Sequence, residues 1–232
     1  MKKDNKETIE LTRTEKVAEN TEKFFVKNWK KLTIACAVIA VALIIIAIVS
    51  VMNTSKQNKQ ATAVFELEQS YGSLTSLDNT SDEFKTAFAD INSKADELIA
   101  NAKGYAQIKA KYLKALATME AEDWNTASAA MEEVANEAKD TYLAPIAYVN
   151  AAVSYENAGS QDKALELYNK VWNDFGKDCP ESPKALFNVA RIYEAKGDAE
   201  LAKATYSQLV DTYLSTTGSE YARIANAKLI TL

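Results

Sequence analysis

The sequence predicts an all-α protein, with a single transmembrane helix near its N-terminus followed by a solenoid of helical hairpins. Three observations predict it. Residues Leu32 to Met52 form an apolar run of 21 without a charge. The chain of 232 residues holds only six glycines and three prolines, which favours helices over a turn-rich β fold. The stretch "YENAGSQDKALELY" from Tyr155 returns as "YEAKGDAELAKATY" from Tyr193, with Tyr, Glu, Gly, Ala and Tyr each 38 residues apart. Self-similarity at a period of this size signals stacked supersecondary units.

Composition narrows the chemistry. The chain has 47% hydrophobic and 25% charged residues, as folded proteins do. It contains no histidine, which removes Ser-His and Cys-His nucleophile pairs and histidine metal ligands. No phosphate-cradling glycine loop or calcium loop is present. No catalytic residue, cofactor or metal site is therefore expected. A membrane-bound enzyme is the weakest reading, because acids such as Glu132, Glu133 and Glu137 recur at the spacing of a solvated helix face.

The first segment, 1–31, is expected to be a cytoplasmic tail. It carries nine basic and six acidic residues, a near balance that argues against a lipid-specific basic patch. The apolar run, 32–52, matches a bilayer core of ~30 Å at ~1.5 Å per residue. A cleaved signal peptide is the rival, but the preceding segment is long and "SVMNTS" lacks the small residues of a cleavage site. Lys23, Lys27, Lys30 and Lys31 before the span outnumber Lys56 and Lys59 after it, which places the N-terminus inside. Phe24, Phe25 and Trp29 suit the membrane interface, and Cys36 reads as a small apolar residue within the span. Beyond residue 31 the chain has 18 basic and 26 acidic residues, so nucleic acid is not an expected partner. Cys179 is the only cysteine outside the span, so no internal disulfide is expected.

Residues 53–104 are expected to form a long hairpin. Ala61, Val64, Leu67, Tyr71, Leu74 and Leu77 mark one apolar stripe; Phe84, Phe88, Ile91, Ala95, Leu98 and Ala102 mark its partner. Thr80 and Glu83 stand in capping-box spacing, Gly104 suits the exit of the second helix, and Gly72 is expected to bend or loosen the first.

Residues 105–214 hold the repeats. In each copy a helix is expected to end at Gly159 or Gly197, with Ser160 or Asp198 capping the next. Ala164 and Ala202 let helices approach, while Tyr168 and Tyr206 fill the adjoining space. Ser182 is read as an N-cap with Pro183 at the first helical position, and Pro145 as the start of the earlier unit. These positions resemble the tetratricopeptide pattern: Tyr148, Ala152, Tyr155, Gly159, Ala164, Tyr168, then Leu186, Ala190, Tyr193, Gly197, Ala202, Tyr206. A degenerate copy precedes them, with Ala115, Ala127, Met131 and Val134, but with Glu122 where the glycine belongs. "FGKDCPESP" replaces the usual closing proline, and 215–232 resembles a terminal capping helix, with Ser219 to Ile230 as its helical part.

The resemblance implies that the first helix of each pair lines a groove for protein or peptide segments. That face would carry Ile146, Val149, Asn150, Val153, Lys184, Phe187, Asn188 and Arg191. The alternative for Val149, Val153 and Phe187 is packing between neighbouring hairpins. Of the five positions of a carboxylate clamp only Asn150 and Lys184 match, whereas the degenerate copy offers Tyr112 and Leu116, so a dedicated clamp is not expected. The whole layout resembles the ancillary subunits of the bacterial Sec translocon. This implies a single-pass protein of the bacterial inner membrane with a periplasmic domain, working with the translocon and periplasmic chaperones on secreted proteins. A scaffold for envelope assembly or cell division is the alternative.

Overall fold

The structure, a computed structural model, describes residues 13–215 and 220–232. The described residues form nine α-helices and no strand: α1 (Arg13–Leu74), α2 (Asp82–Asn101), α3 (Tyr105–Glu120), α4 (Trp124–Glu137), α5 (Leu143–Asn157), α6 (Gln161–Phe175), α7 (Ser182–Ala195), α8 (Ala199–Tyr213) and α9 (Glu220–Thr231). The chain divides into two compact units, Met1–Asn58 and Lys59–Leu232. Residues 1–12 of the expected tail and Ser219 of the expected cap lie outside the described residues.

Within the first unit the apolar run is wholly helical. Its large side chains are exposed, Ile34 at 65% and Ile46 at 64%, as a helix solvated by hydrocarbon requires. This stretch of α1 is long and apolar enough to cross a membrane, with a mean hydropathy of 3.2. Helices satisfy all their backbone polar groups internally, which is why such a segment can span. The helix continues through Gly72 and stops two residues later, at Leu74.

The second unit begins with a hairpin. Val64, Leu67 and Leu74 of α1 bury against Phe84, Ile91, Ala95 and Leu98 of α2 and Leu113 and Ala117 of α3. Leu77, assigned to the stripe, lies past the helix end and is exposed. Two caps differ from expectation. Ser81, not Thr80, accepts the Phe84 N–H at 3.1 Å, because the Thr80 hydroxyl donates to Asp78 within a local turn. Gly104 follows the end of α2 at Ala102 and instead opens α3, with φ of 64°.

Three later turns share one construction. Ser160 N–H bonds Tyr155 O at 2.7 Å and Gly159 N–H bonds Glu156 O at 2.9 Å. Asp198 and Gly197 repeat this with Tyr193 and Glu194, and Asp123 and Glu122 with Thr118 and Met119. This is the helix-terminating pair of bonds that needs a left-handed residue. Gly159 and Gly197 both have φ of 81°, and Glu122 reaches 57° without being glycine. Ser160 and Asp198 occupy N-cap positions as expected, but neither side chain makes a capping bond. Their backbone N–H groups close the turn instead. Asp123 does cap α4, accepting from Thr126 N–H at 3.2 Å.

The longer connection before α7 is held from both sides. Ser182 is the first residue of α7 with Glu181 at the N-cap, which corrects its expected role and moves Pro183 to the second helical position. Its hydroxyl donates to Gly176 O at 2.6 Å, and Tyr213 of α8 donates to Lys177 O at 2.7 Å. Pro145 similarly falls two residues inside α5, which starts at Leu143. The main core runs through α3 to α7, with Met131, Leu143, Leu167, Tyr168 and Ile192 buried, each such side chain contributing about 1.5–3 kcal/mol. Leu186, Tyr206, Leu209, Ala222 and Ala225 form a second cluster, where α9 closes the array.

Candidate protein-binding face

The expected site residues come from two helices in register. Ile146 and Lys184, Val149 and Phe187, Asn150 and Asn188, and Val153 and Arg191 are pairs 38 residues apart on α5 and α7. Helical spacing places each set along one face of its helix. Their contacts separate them into two groups.

Val149 and Phe187 serve packing. Val149 is 1% exposed within the main core. Phe187 is half-buried against two rings, with centroids 5.9 Å from Tyr206 and 5.5 Å from Tyr221 of α9. Aromatic pairs at these separations add to stability beyond their buried area. The terminal helix is what covers Phe187. The sequence stripe alone does not show this, because Tyr221 lies 34 residues further on.

Ile146, Asn150, Val153, Lys184, Asn188 and Arg191 are half-buried. Ile146 and Val153 pack at the margin of the core. The Asn150 amide donates to the Tyr112 hydroxyl of α3 at 3.1 Å, joining two successive repeats. The Lys184 carbonyl accepts from the Asn188 amide at 3.0 Å, while its ammonium has no ion pair among the described residues. Arg191 is fixed by Glu156 through bonds of 2.7 and 2.6 Å, and by Asn188 Oδ1 at 3.0 Å. The hydrogen bond to Glu156, with its charge, raises the guanidinium pKa further, so Arg191 is a permanent cation. The arrangement sets apolar, amide and cationic side chains beside one another on one face.

Glu156 borders this face and was absent from the sequence-based set, whereas Tyr112 was named only as the degenerate copy's groove position. The signal for Glu156 was present, since Tyr155-Glu156 recurs as Tyr193-Glu194. Beneath the face Tyr168 is fully buried and its hydroxyl has no partner among the described residues. Burial first, then the Glu156 carboxylate, pushes its pKa far above the ordinary value, so the phenol stays neutral.

Residues 147–178 and 184–213 match the family model of the tetratricopeptide repeat. A TPR repeat-containing protein of Treponema pallidum (strain Nichols) is 37% identical over 91 residues, 39% of this chain and 37% of that protein. The chain thus spans little more than a third of that relative's length. A solved Podosopora anserina structure, described as kinesin light chain nearly identical TPR-like repeats, matches with a TM-score of 0.58 and 15% identity. The match covers 72% of this chain and 84% of that one, a likeness of fold. Residues 105–232 make up a smaller share than 72%, so the likeness extends N-terminal of Tyr105. The fold and the matched repeats together indicate a helical-repeat protein-protein interaction module. The two stretches 147–178 and 184–213 are tetratricopeptide repeats by that match, and the rest of the second unit shares their helical-hairpin architecture.

Proposed function

We propose that the chain is a membrane-anchored interaction subunit of the bacterial inner membrane, with its N-terminus cytoplasmic and its repeats periplasmic, assisting secreted proteins beside the Sec translocon and its chaperones. Protein segments dock on Ile146, Asn150, Val153, Lys184, Asn188 and Arg191. The observation that carries this reading is the half-buried row on α5 and α7, apolar at Ile146 and Val153 and cationic at Lys184. A surface that is partly wet when free has area left to bury on association. The unequal lysine flanks support the orientation, and the Treponema pallidum relative supports a bacterial setting.

Photo-cross-linking in native membranes tests it. A cross-linker at Asn188 should capture translocon subunits, chaperones or secretory chains, and one at Glu166, on the exposed side of α6, should not. Capture of a stable envelope complex lacking Sec would replace this reading with the scaffold alternative. Equal capture from both positions would remove the proposed face.

A further inference from the structure

The near balance of charge over 1–31 conceals a segregation. From Lys23 to Lys31 there are four lysines and no acid, whereas Glu15, Glu19 and Glu22 all lie further from Leu32. Lys16, Lys23, Lys27 and Lys30 follow one another at seven, four and three residues, which puts them on one face of α1. All are exposed. At ~1.5 Å per residue Lys27, Lys30 and Lys31 lie within about 8 Å of the apolar run, the depth of the headgroup layer. Lys23 follows within about a Debye length.

The neighbours favour that location. Trp29 is exposed beside Lys30, whose Nζ stands 5.7 Å from its ring, and an indole prefers the same interfacial depth. Lys27 and Lys31 have no ion pair among the described residues. Lys23 bonds Glu19 at 2.6 Å, an exposed pair that contributes little and that a phosphate can displace.

We propose that Lys23, Lys27, Lys30 and Lys31 form a binding site for anionic phospholipid headgroups. The occupant follows from charge complementarity and from continuity with the apolar run, and the inference rests on the membrane-anchor reading. Each lysine near an anionic surface is worth roughly a fivefold preference at low salt. Glu22 and Glu19, one and four residues beyond Lys23, offset part of that lysine's attraction, while Lys27, Lys30 and Lys31 lie nearer the headgroup layer than any described acid of this segment.

The test uses the full chain in bilayers of phosphatidylcholine and phosphatidylglycerol, with one or the other brominated to quench tryptophan. A Trp29→Phe control subtracts the fluorescence of Trp124 and Trp172. Trp29 should be quenched about two- to fivefold more per brominated phosphatidylglycerol than per brominated phosphatidylcholine, and the excess should vanish in a variant with all four lysines changed to Gln or at high salt. Quenching by both lipids without that excess would overturn the headgroup site while leaving the anchor intact. Absence of quenching by either lipid would overturn the anchor itself.

Discussion

Arg191 on α7 grips Glu156 on α5 through two parallel bonds, Nη1 to Oε1 at 2.7 Å and Nη2 to Oε2 at 2.6 Å. One repeat later the matching carboxylate, Glu194, receives the Tyr206 hydroxyl at 2.9 Å and Lys228 at 2.9 Å. Two copies of the same Tyr-Glu thus hold different partners. The arginine that joins α5 to α7 occupies Glu156, and Tyr168, the counterpart of Tyr206, has no hydroxyl partner among the described residues.

The two tyrosines should therefore respond oppositely to the same change. Tyr206→Phe removes a bond to a carboxylate and should cost about 1 kcal/mol, discounted because Glu194 is half exposed. Tyr168→Phe removes a hydroxyl with no protein partner and should be neutral or stabilise by up to ~1 kcal/mol. Denaturant unfolding of the two variants measures the contrast, and equal losses would show that Tyr168 is bonded.

Glu122 stands in the left-handed conformation that the other two turns give to glycine. Glu122→Gly should stabilise by about 0.5–1 kcal/mol, the relief exceeding the loss of the 3.1 Å bond from Asn79. Gly197→Val should destabilise by about 1–2 kcal/mol. A Cβ at Gly197 meets nothing within 4 Å, so that cost is conformational and not a clash. Melting of the purified variants checks both signs.

The periodicity in the sequence was sufficient to place these turns, because Schellman geometry depends on local backbone and on glycine at a fixed offset. The same logic located Tyr168 and Tyr206 in the core and Glu122 as the departure. Cap assignments were less legible. Ser182, Thr80 and Asp198 are all chemically able to cap a helix, and only three-dimensional context sends the first hydroxyl to Gly176 O and the second to Asp78, and leaves the third without a cap bond. The proposed face was legible as a helix stripe but not as a surface. Tyr221 of α9 covers Phe187, and neighbouring helices bury Val149, contacts that no local spacing encodes.

Phe187→Ala should accordingly weaken folding by about 3 kcal/mol, since it empties a site enclosed by Tyr206 and Tyr221. Tyr221→Ala should be sub-additive with it, because the two rings share one contact. A double-mutant cycle by chemical unfolding reads the coupling, and strict additivity would place α9 away from Phe187.

Glu194 gives the array an acid-sensitive contact. Its pKa is lowered from the ordinary value of 4.5 by the bond from Lys228 first and from Tyr206 second. A carboxylate depressed in the folded state adds stability above its unfolded pKa, and loses it as pH falls through the folded value. Stability should therefore drop below about pH 4.5 more steeply in the parent than in Glu194→Gln. Unfolding measured across that range, with parallel curves for the two proteins, would exclude the contribution.

The central claim is that α5 and α7 present a face for protein partners, and a paired measurement on Ile146→Asn, Val153→Asn tests it most directly. Melting of the full-length variant in detergent and cross-linking from Asn188 in native membranes are read together. The account predicts a melting curve close to the parent's and a cross-linking yield reduced about tenfold or more, as loss of two apolar contacts at a binding face implies. A parental yield with unchanged melting would contradict it, and a collapse of melting would assign both side chains to the core.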